Sequence, residues 1–179
     1  NFKFSEFKKL NQKSFFQIKK FYKKLVLNYI NLDRKFKFSE ELDRKYIFEQ
    51  IKNIYKKKNG KLNFIPIGIK DNINTLNLDT KFGLKSRKSF RSGNDARVVS
   101  KIIDNCGIIF SKLTCAEFAV HFIDKKKRAN PLNKNFISGT SSTGSAVSVA
   151  VGALPVALGT QTAGSILRPS SYCGVIGFK

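Results

Sequence analysis

The chain has 179 residues, of which 41% are hydrophobic and 26% charged, the balance of a globular protein with a core of its own. No apolar run approaches the roughly 20 residues of a membrane-spanning helix, so we expect no membrane-spanning segment and no membrane partner in these residues. The formal net charge of +22 excludes an acidic protein and leaves nucleic-acid binding as a function to be weighed.

Residues 1–62 show the periodicity of amphipathic helices, with apolar side chains at three- and four-residue steps and lysines opposite them. The apolar stripe of the first predicted helix consists of Phe15, Ile18, Phe21, Tyr22, Leu25 and Val26. A second helix is predicted over residues 39–58, with Ser39 as its cap, an acidic first turn, and Asn59-Gly60 at its end. We interpret 1–62 as an N-terminal helical segment that packs on the core and performs no chemistry.

The next stretch predicts alternating strands and helices. Residues 64–70 form an apolar run that ends in a charged residue, Lys70, which indicates a buried strand. Residues 95–105 have a helical pattern with Asp95 as N-cap, and residues 107–110 form a second apolar strand. The helix is expected to bury Val98, Val99, Ile102 and Ile103. Strand, helix and strand in this order predict an α/β architecture.

The last part of the chain, 136–179, contains seven of the 12 glycines but only two charged side chains. Two hydroxyl-rich loops lie within it, at 138–145 and 158–165. The first precedes a run of small residues that predicts a buried helix, so free backbone N–H groups and the helix dipole would favour negative charge there. The second follows a predicted strand and ends in Ser165, and its small residues let backbone N–H groups approach a reacting carbonyl, as an oxyanion hole requires.

Each loop taken alone also fits a helix cap or a phosphate cradle. A phosphate-binding loop of the usual kind is excluded, because neither loop ends in Gly-Lys-Ser/Thr. The combination of motifs is more specific than either loop.

Three motifs occur in order: PIGIKDNI at 66–73, GTSSTGS at 139–145 and LGTQTAGS at 158–165. With them, the stretch 65–179, about two thirds of the chain, closely resembles the amidase signature family. They correspond to that family's lysine motif, serine-pair motif and nucleophile motif. Ser141 and Ser165 are 24 residues apart, which also matches the family.

The resemblance implies a fold. It is the amidase signature fold, an α/β/α sandwich around a mixed β-sheet. Residues 63–179 would form the first part of this α/β domain, truncated at the C-terminus. We expect the chain to be an N-terminal fragment, since it contains no Met and ends in an apolar, strand-like run.

The resemblance also implies a Ser-Ser-Lys catalytic triad. Ser165 would be the acylating nucleophile, and Ser141, which the family holds after a cis peptide bond, would bridge its hydroxyl to Lys70. The oxyanion hole would consist of the backbone N–H groups of Thr162, Ala163 and Gly164, next to that of Ser165.

The chemistry of the residues supports the same base without the family. A serine hydroxyl needs a base, and a lysine can serve only when it is neutral; burial can lower a lysine pKa by up to about 3–5 units. Lys70 ends an apolar strand, where such burial is expected. The chain's one histidine, His121, lies in a Phe-rich stretch before a basic run and is predicted to be a packing or surface residue.

Four positions depart from the family's usual pattern. Thr140 precedes the bridging serine, where the family usually has Gly. Gln161 and Ala163 replace a common Asp and Gly, and Arg168 sits one residue later than in many members. We interpret the last three differences as those of a subgroup that keeps the activity, whereas Thr140 adds bulk at the expected cis bond.

We therefore predict an amidohydrolase that cleaves carboxamides to a carboxylate and ammonia or an amine through an acyl-serine intermediate. No metal site and no organic cofactor is implied. The expected partner is a small-molecule amide, without a metal, a membrane or a nucleic acid, and a homodimer is compatible with the sequence.

A second hypothesis within the family is the A subunit of glutamyl-tRNA(Gln) amidotransferase, which passes its ammonia to a partner. Its usual insertion after Glu117-Phe118-Ala119 is absent here, because only a short run precedes Asn130-Pro131. We therefore favour a stand-alone amidase.

The alternative from another class is a basic nucleic-acid-binding protein. The basic excess extends over the whole chain: 1–62 contains 18 basic and 6 acidic side chains (net +12), and 63–179 contains 16 and 6 (net +10). The enriched types, Lys, Asn, Ile and Phe, all have AT-rich codons. Gene composition therefore accounts for the lysines at least as well as a phosphate-binding face does.

Three cysteines, Cys106, Cys115 and Cys173, have no metal-ligand spacing and lie in apolar stretches. Their odd number and their settings predict reduced, buried thiols and a cytoplasmic protein.

Overall fold

The computed structural model describes residues 4–57, 59–84, 92–120 and 130–179. Its helices are α1 (Phe4–Lys9), α2 (Phe15–Phe36), α3 (Arg44–Lys57), α4 (Arg97–Asp104), α5 (Thr143–Ala150) and α6 (Leu167–Cys173). Its strands are β1 (Ser39–Glu41), β2 (Pro66–Lys70), β3 (Ile108–Leu113) and β4 (Val156–Leu158). Short 3-10 turns lie at Leu10–Gln12 and Glu117–Ala119. Within these ranges, no helix is both long enough and apolar enough to cross a membrane.

The four strands form one mixed sheet in the order β1-β3-β2-β4. Strands β3, β2 and β4 run parallel, and β1 is antiparallel to β3 at one edge. Helix α5 packs on β2, β3 and β4. The predicted α/β fold around a mixed sheet is confirmed. Because β2 and β4 are parallel neighbours, the loops at their carboxyl ends meet at the same edge of the sheet, and those loops contain the lysine and nucleophile motifs.

Helix α2 begins after Ser14 and buries most of the predicted apolar stripe, with Phe15 and Phe21 partly buried. Its N-cap Ser14 and Gln17 form a capping box: the Gln17 N–H donates to Ser14 Oγ (3.3 Å), and the Ser14 N–H donates to Gln17 Oε1 (3.0 Å). The buried residues of the helix are Ile18, Tyr22, Leu25, Val26 and Tyr29. The Tyr29 hydroxyl also donates to Ser111 Oγ on β3 (2.6 Å), so α2 is joined to the sheet by a buried hydrogen bond.

Helix α3 completes the hydrogen bonding of β3 where β1 is too short to do so. Gln50 Nε2 donates to the Ile109 carbonyl (2.9 Å), and the Ile109 N–H donates to Gln50 Oε1 (2.8 Å). The amide thus replaces a missing strand neighbour on the side of β3 away from β2. The division of the chain at residue 62 stays a prediction.

Replacement of Gln50 should destabilise the fold without touching the candidate site. Gln50→Leu removes both partners of a buried backbone N–H and C=O, so we expect a loss of about 2–4 kcal/mol in the free energy of unfolding. Urea denaturation of the full-length protein measures this. Asn53→Ala, on the exposed face of α3, is the control and should change the free energy by less than about 0.5 kcal/mol. Equal stability of the two variants would contradict the prediction.

The predicted start of the second helix is wrong. Residues 39–41 form β1 instead, since Ser39 and Glu41 pair with backbone groups of β3 that local periodicity does not reveal. The helix begins at Arg44, where Asp43 Oδ1 accepts a hydrogen bond from the Tyr46 N–H (3.1 Å).

The prediction for α4 is wrong in two details. Asp95 is not its N-cap, because its carboxylate accepts a hydrogen bond from the Leu76 N–H (2.7 Å) in a neighbouring loop. Val99 and Ile102 are buried as expected, but Val98 and Ile103 are 42% and 38% exposed. The helix is two residues shorter at its start than predicted and presents a narrower apolar face to the sheet.

The three cysteines, Cys106, Cys115 and Cys173, are buried and form no disulfide, as predicted. Burial raises the pKa of Cys173 to about 12, so this thiol stays protonated at neutral pH.

Candidate active site

Lys70 lies at the carboxyl end of β2 with its side chain fully buried. Its Nζ donates hydrogen bonds to Ser141 Oγ (2.7 Å), Thr160 Oγ1 (2.8 Å) and the Thr160 carbonyl (3.3 Å). All three acceptors are neutral oxygens. Within the part of the chain that the structure describes, no carboxylate bonds to this amine, so dipoles solvate an ammonium ion at this position.

This environment weakens the hold of Lys70 on its proton. Burial lowers the pKa of Lys70 from 10.5 to about 8, against a smaller opposing influence of Cys115. With a pKa near 8, about a tenth of the lysine is neutral at pH 7, whereas an ordinary lysine is neutral in fewer than one molecule in a thousand. Lys70 can therefore accept a proton at neutral pH.

Ser141 is held from both sides. The Thr140–Ser141 peptide bond is cis, and the Ala116 N–H donates to the Ser141 carbonyl (3.2 Å). The side chain is fully buried, with its hydroxyl on Lys70 Nζ. The cis bond expected from the family resemblance is thus present although Thr140 replaces the usual Gly. Before it, Gly139 has φ +74°, and a Cβ there would lie 2.7 Å from Pro169 Cα, so the loop needs glycine at this position.

Ser165 lies in the turn between β4 and α6 and is 7% exposed. Its carbonyl accepts a hydrogen bond from the Ser142 N–H (3.1 Å), which joins the two hydroxyl-rich loops. Gln161 spans the same turn, because its Oε1 accepts from the N–H groups of Ile166 (2.7 Å) and Leu167 (2.9 Å). The residue that replaces a common Asp of the family therefore holds the backbone just after Ser165.

The acceptor on Gln161 should matter for activity. Gln161→Leu removes this oxygen acceptor, so the backbone after Ser165 loses two hydrogen bonds. A displacement of about 1 Å at a reacting group costs about 100-fold in rate. We therefore expect a loss of that order in amide hydrolysis. Gln161→Glu keeps an oxygen acceptor and should retain most of the activity. The measurement is kcat for ammonia release by the full-length variants. A Leu variant as active as the Glu variant would show that the turn holds its shape without this acceptor.

Two of the three predicted oxyanion-hole residues, Thr162 and Ala163, line a cavity of about 280 Å³ together with Ser165. Its other lining residues are Ser141, Thr160, Ala119 and Val120. Within the described residues, no protein acceptor is hydrogen-bonded to the backbone N–H of Thr162, Ala163 or Gly164. Free N–H groups in the turn before Ser165 are what stabilisation of an oxyanion requires. Of the predicted catalytic residues, Ser141 and Ser165 line this cavity, and Lys70 lies behind Ser141, hydrogen-bonded to its hydroxyl (2.7 Å).

Sequence reasoning missed two neighbours of Lys70. Asn72 and Thr160 bond to each other through the Asn72 amide and Thr160 Oγ1, with Nδ2 at 3.0 Å and Oδ1 at 3.3 Å. Both lie inside the recognised motifs, two residues after Lys70 and five before Ser165, and that position is the signal that could have indicated them.

It also missed a second buried lysine, Lys112, on β3. Burial lowers its pKa to about 8, opposed chiefly by Asp71. Its Nζ donates to the Ile73 carbonyl (2.5 Å) and to Thr80 Oγ1 (2.9 Å), so it fastens the loop after β2 rather than facing the cavity. His121 lies outside the described residues, and its predicted packing or surface role stays a prediction.

The chain is similar to known proteins in its sequence. A family model described as Amidase matches residues 18–179. The A subunit of the glutamyl-tRNA(Gln) amidotransferase of Macrococcus caseolyticus is 41% identical over 143 residues, which cover 77% of this chain and 30% of that protein.

Solved structures give the same result. The A subunit of the Thermotoga maritima glutamyl-tRNA(Gln) amidotransferase has a TM-score of 0.72 and 31% identity, over 87% of this chain and 34% of its own. The peptide amidase of Stenotrophomonas maltophilia has a TM-score of 0.73 and 29% identity, over 86% of this chain and 36% of its own. The chain spans about a third of the length of these relatives.

Proposed function

The chain belongs to the amidase signature family, and from this premise we propose that the protein cleaves carboxamides through an acyl-enzyme on Ser165. Lys70 is the general base and Ser141 the relay between it and Ser165. The observation that supports this most is the 2.7 Å contact of Lys70 Nζ with Ser141 Oγ, in surroundings that lower the pKa of the lysine to about 8.

The first half of the reaction forms the acyl-enzyme. Neutral Lys70 takes the proton of Ser141, Ser141 takes that of Ser165, and Ser165 Oγ bonds to the amide carbon. The negative charge that develops on the carbonyl oxygen is met by the free backbone N–H groups of Thr162, Ala163 and Gly164. The C–N bond then breaks, and the proton returns from Lys70 through Ser141 to the leaving nitrogen, which departs as ammonia or an amine.

The second half repeats the route with water. A water molecule gives one proton through Ser141 to Lys70, and its oxygen attacks the ester carbon. The ester C–O bond to Ser165 then breaks, Ser165 regains its proton from Lys70 through Ser141, and the carboxylic acid leaves and loses its own proton to the solvent. The three side chains thus only transfer protons in this half, and water supplies the hydroxyl group.

The A subunit of a glutamyl-tRNA(Gln) amidotransferase is the second candidate. The observation that favours it is the similarity to such proteins, at 41% and 31% identity. The short run 120–128 favours the stand-alone amidase. Both use the same acylation chemistry and differ in where the ammonia goes.

Ammonia release from a panel of amides by the full-length protein distinguishes the candidates. A stand-alone amidase should hydrolyse acetamide or benzamide with a kcat/KM above that for glutamine. Hydrolysis of glutamine alone, in the absence of other proteins, would replace the amidase proposal with the amidotransferase one. The absence of ammonia from every amide of the panel would contradict both. We also propose a cytoplasmic location, supported by the three reduced cysteines.

A further inference from the structure

Thr160 is the residue with the most contacts to the amine of Lys70. Both its hydroxyl Oγ1 (2.8 Å) and its carbonyl oxygen (3.3 Å) accept from Lys70 Nζ, and Ser141 Oγ (2.7 Å) is the third partner. The amine therefore has three oxygens around it, two of them from Thr160.

The number of protons on the amine makes the direction of each bond important. A neutral amine has two N–H donors and one lone pair, and a base can act only where the lone pair points. The Thr160 carbonyl can only accept, so it takes one N–H. If Thr160 Oγ1 accepts the second N–H, the lone pair is left for Ser141. If Oγ1 instead donates to the amine, the lone pair faces Thr160 and Lys70 cannot take a proton from Ser141.

Asn72 decides between these two arrangements. Its Nδ2 donates to Thr160 Oγ1 (3.0 Å), and its Oδ1 accepts from the same hydroxyl (3.3 Å). With its proton directed at Asn72 and one lone pair occupied by Nδ2, the Thr160 hydroxyl offers its remaining lone pair to Lys70. The side-chain amide thus turns the hydroxyl into an acceptor for the amine.

We propose that Thr160 and Asn72 are positioning residues that hold both N–H groups of neutral Lys70, so that its lone pair points at Ser141 Oγ. This inference rests on the proposed function, in which Lys70 is the base. In this scheme neither residue gives or takes a proton: Thr160 acts by its hydrogen bonds to Lys70, and Asn72 acts through Thr160.

In the described part of the chain, few charged or titratable groups surround Lys70, so its hydrogen bonds to Thr160 can determine where its lone pair points. Cys115, after β3, is the titratable neighbour that acts on it. The Asp71 carboxylate is engaged by the N–H groups of Lys81 (3.1 Å) and Gly83 (2.7 Å), and Lys112 binds the loop after β2. Among the described residues, α5, β4 and the turn 159–165 contain no titratable side chain. On the side of Lys70 that faces the loop 158–165, the dipoles of Thr160 therefore dominate the electrostatic environment of the amine.

Removal of the hydroxyl should have two effects of different origin. An acceptor stabilises the ammonium more than the neutral amine, so Thr160→Val should lower the pKa of Lys70. The same change leaves one N–H of the neutral amine without a partner, so the lone pair loses its fixed direction and the rate falls. A packing defect alone lowers the rate but leaves the pKa where it was.

A fluorophosphonate probe tests this in the full-length protein without knowledge of the substrate. The Ser165 Oγ–P bond forms as the P–F bond breaks and fluoride leaves, with the serine proton passed towards Lys70. The second-order labelling rate at Ser165, measured by mass spectrometry against pH, gives the pKa of the base and the plateau rate above it.

Each variant has its own expected result. Thr160→Val should lower the plateau about tenfold or more and move the pH midpoint to lower pH. Thr160→Ser should restore both values. Asn72→Asp places a carboxylate beside the hydroxyl and should move the midpoint to higher pH. The control is Thr75→Val, which removes a buried hydroxyl bonded to the Leu78 carbonyl (2.7 Å) and should leave the midpoint at its wild-type value.

The outcomes separate the two proposals. Wild-type protein that is not labelled at Ser165 would overturn the proposed function and this inference with it. Labelling of the wild type together with an unmoved midpoint in Thr160→Val would overturn the inference alone. If Thr160→Val does not fold, the Asn72→Asp midpoint decides, and an unmoved midpoint there has the same meaning.

Discussion

Ser165→Ala in the full-length protein is expected to reduce amide hydrolysis by roughly four or more orders of magnitude. The variant lacks the oxygen that bonds to the amide carbon, and removal of such a nucleophile leaves only the residual catalysis of the oxyanion hole and of binding. Ser165 is 7% exposed and lies within a turn fixed by backbone hydrogen bonds, so loss of its hydroxyl should leave the surrounding loop in place.

The matched control for this variant is Ser171→Ala, on the exposed face of α6 six residues further along the chain. It should hydrolyse the same amide at the wild-type rate. Ammonia release under single-turnover conditions measures both variants, and circular dichroism checks that both are folded. Near-normal turnover by Ser165→Ala would remove Ser165 from the mechanism and with it the acyl-serine proposal.

The second large effect is expected at Lys70. Lys70→Arg keeps the positive charge but cannot lose a proton near neutral pH, since the pKa of arginine lies above 12. It should therefore be about as damaging as Lys70→Ala, with a loss of about 100-fold or more, the range that general-base catalysis typically contributes. A lysine whose role were only to supply charge would be replaced by arginine at a much smaller cost.

The pH–rate profile of the wild-type protein makes the same test without a mutation. The active form holds Lys70 neutral, so kcat/KM should rise with pH and level off above about 8, the pKa to which burial lowers this lysine. Lys70→Arg and Lys70→Ala should lack this rise, and His121→Ala should keep it at near wild-type rates. Activity that survives in Lys70→Arg, or that is lost in His121→Ala, would replace the lysine mechanism with a histidine-based one.

The amino-acid sequence by itself determined the elements whose partners are near in the chain. The capping box of Ser14 and Gln17 and the helical period after it account for α2 and its buried face. The apolar run that ends in Lys70 predicts a buried strand, and all five residues of β2 are buried. Small residues and glycines predict the loops before α5 and α6. Each of these signals is local, because it depends on side chains within a few residues of one another.

The site was foreseeable as far as the motifs go. Motif order and the need for a neutral base select Lys70, Ser141 and Ser165. In the structure Ser141 and Ser165 line one cavity, and Lys70 is hydrogen-bonded to Ser141. The resemblance supplied the cis bond before Ser141, which no local pattern of Gly, Thr and Ser predicts. The roles of Asn72 and Thr160 stayed hidden, since residues 88 positions apart in the chain meet only when β2 and β4 lie side by side.

Tertiary structure alone decided where the chain departs from its local preferences. Ser39 is predicted to cap a helix, but the open edge of β3 gave its backbone hydrogen-bond partners, so the segment became β1. Asp95 does not cap α4, because its Oδ1 accepts a hydrogen bond from the Leu76 N–H (2.7 Å), which the loop after β2 brings close to it. Lys112 is buried although lysine is ordinarily solvated, since the loop 73–80 provides oxygen acceptors for its amine. In all three cases the deciding contact lies far along the chain: β3 for the segment of Ser39, Leu76 for Asp95 and the loop 73–80 for Lys112. A buried polar group left without a partner costs more free energy than a local preference gains.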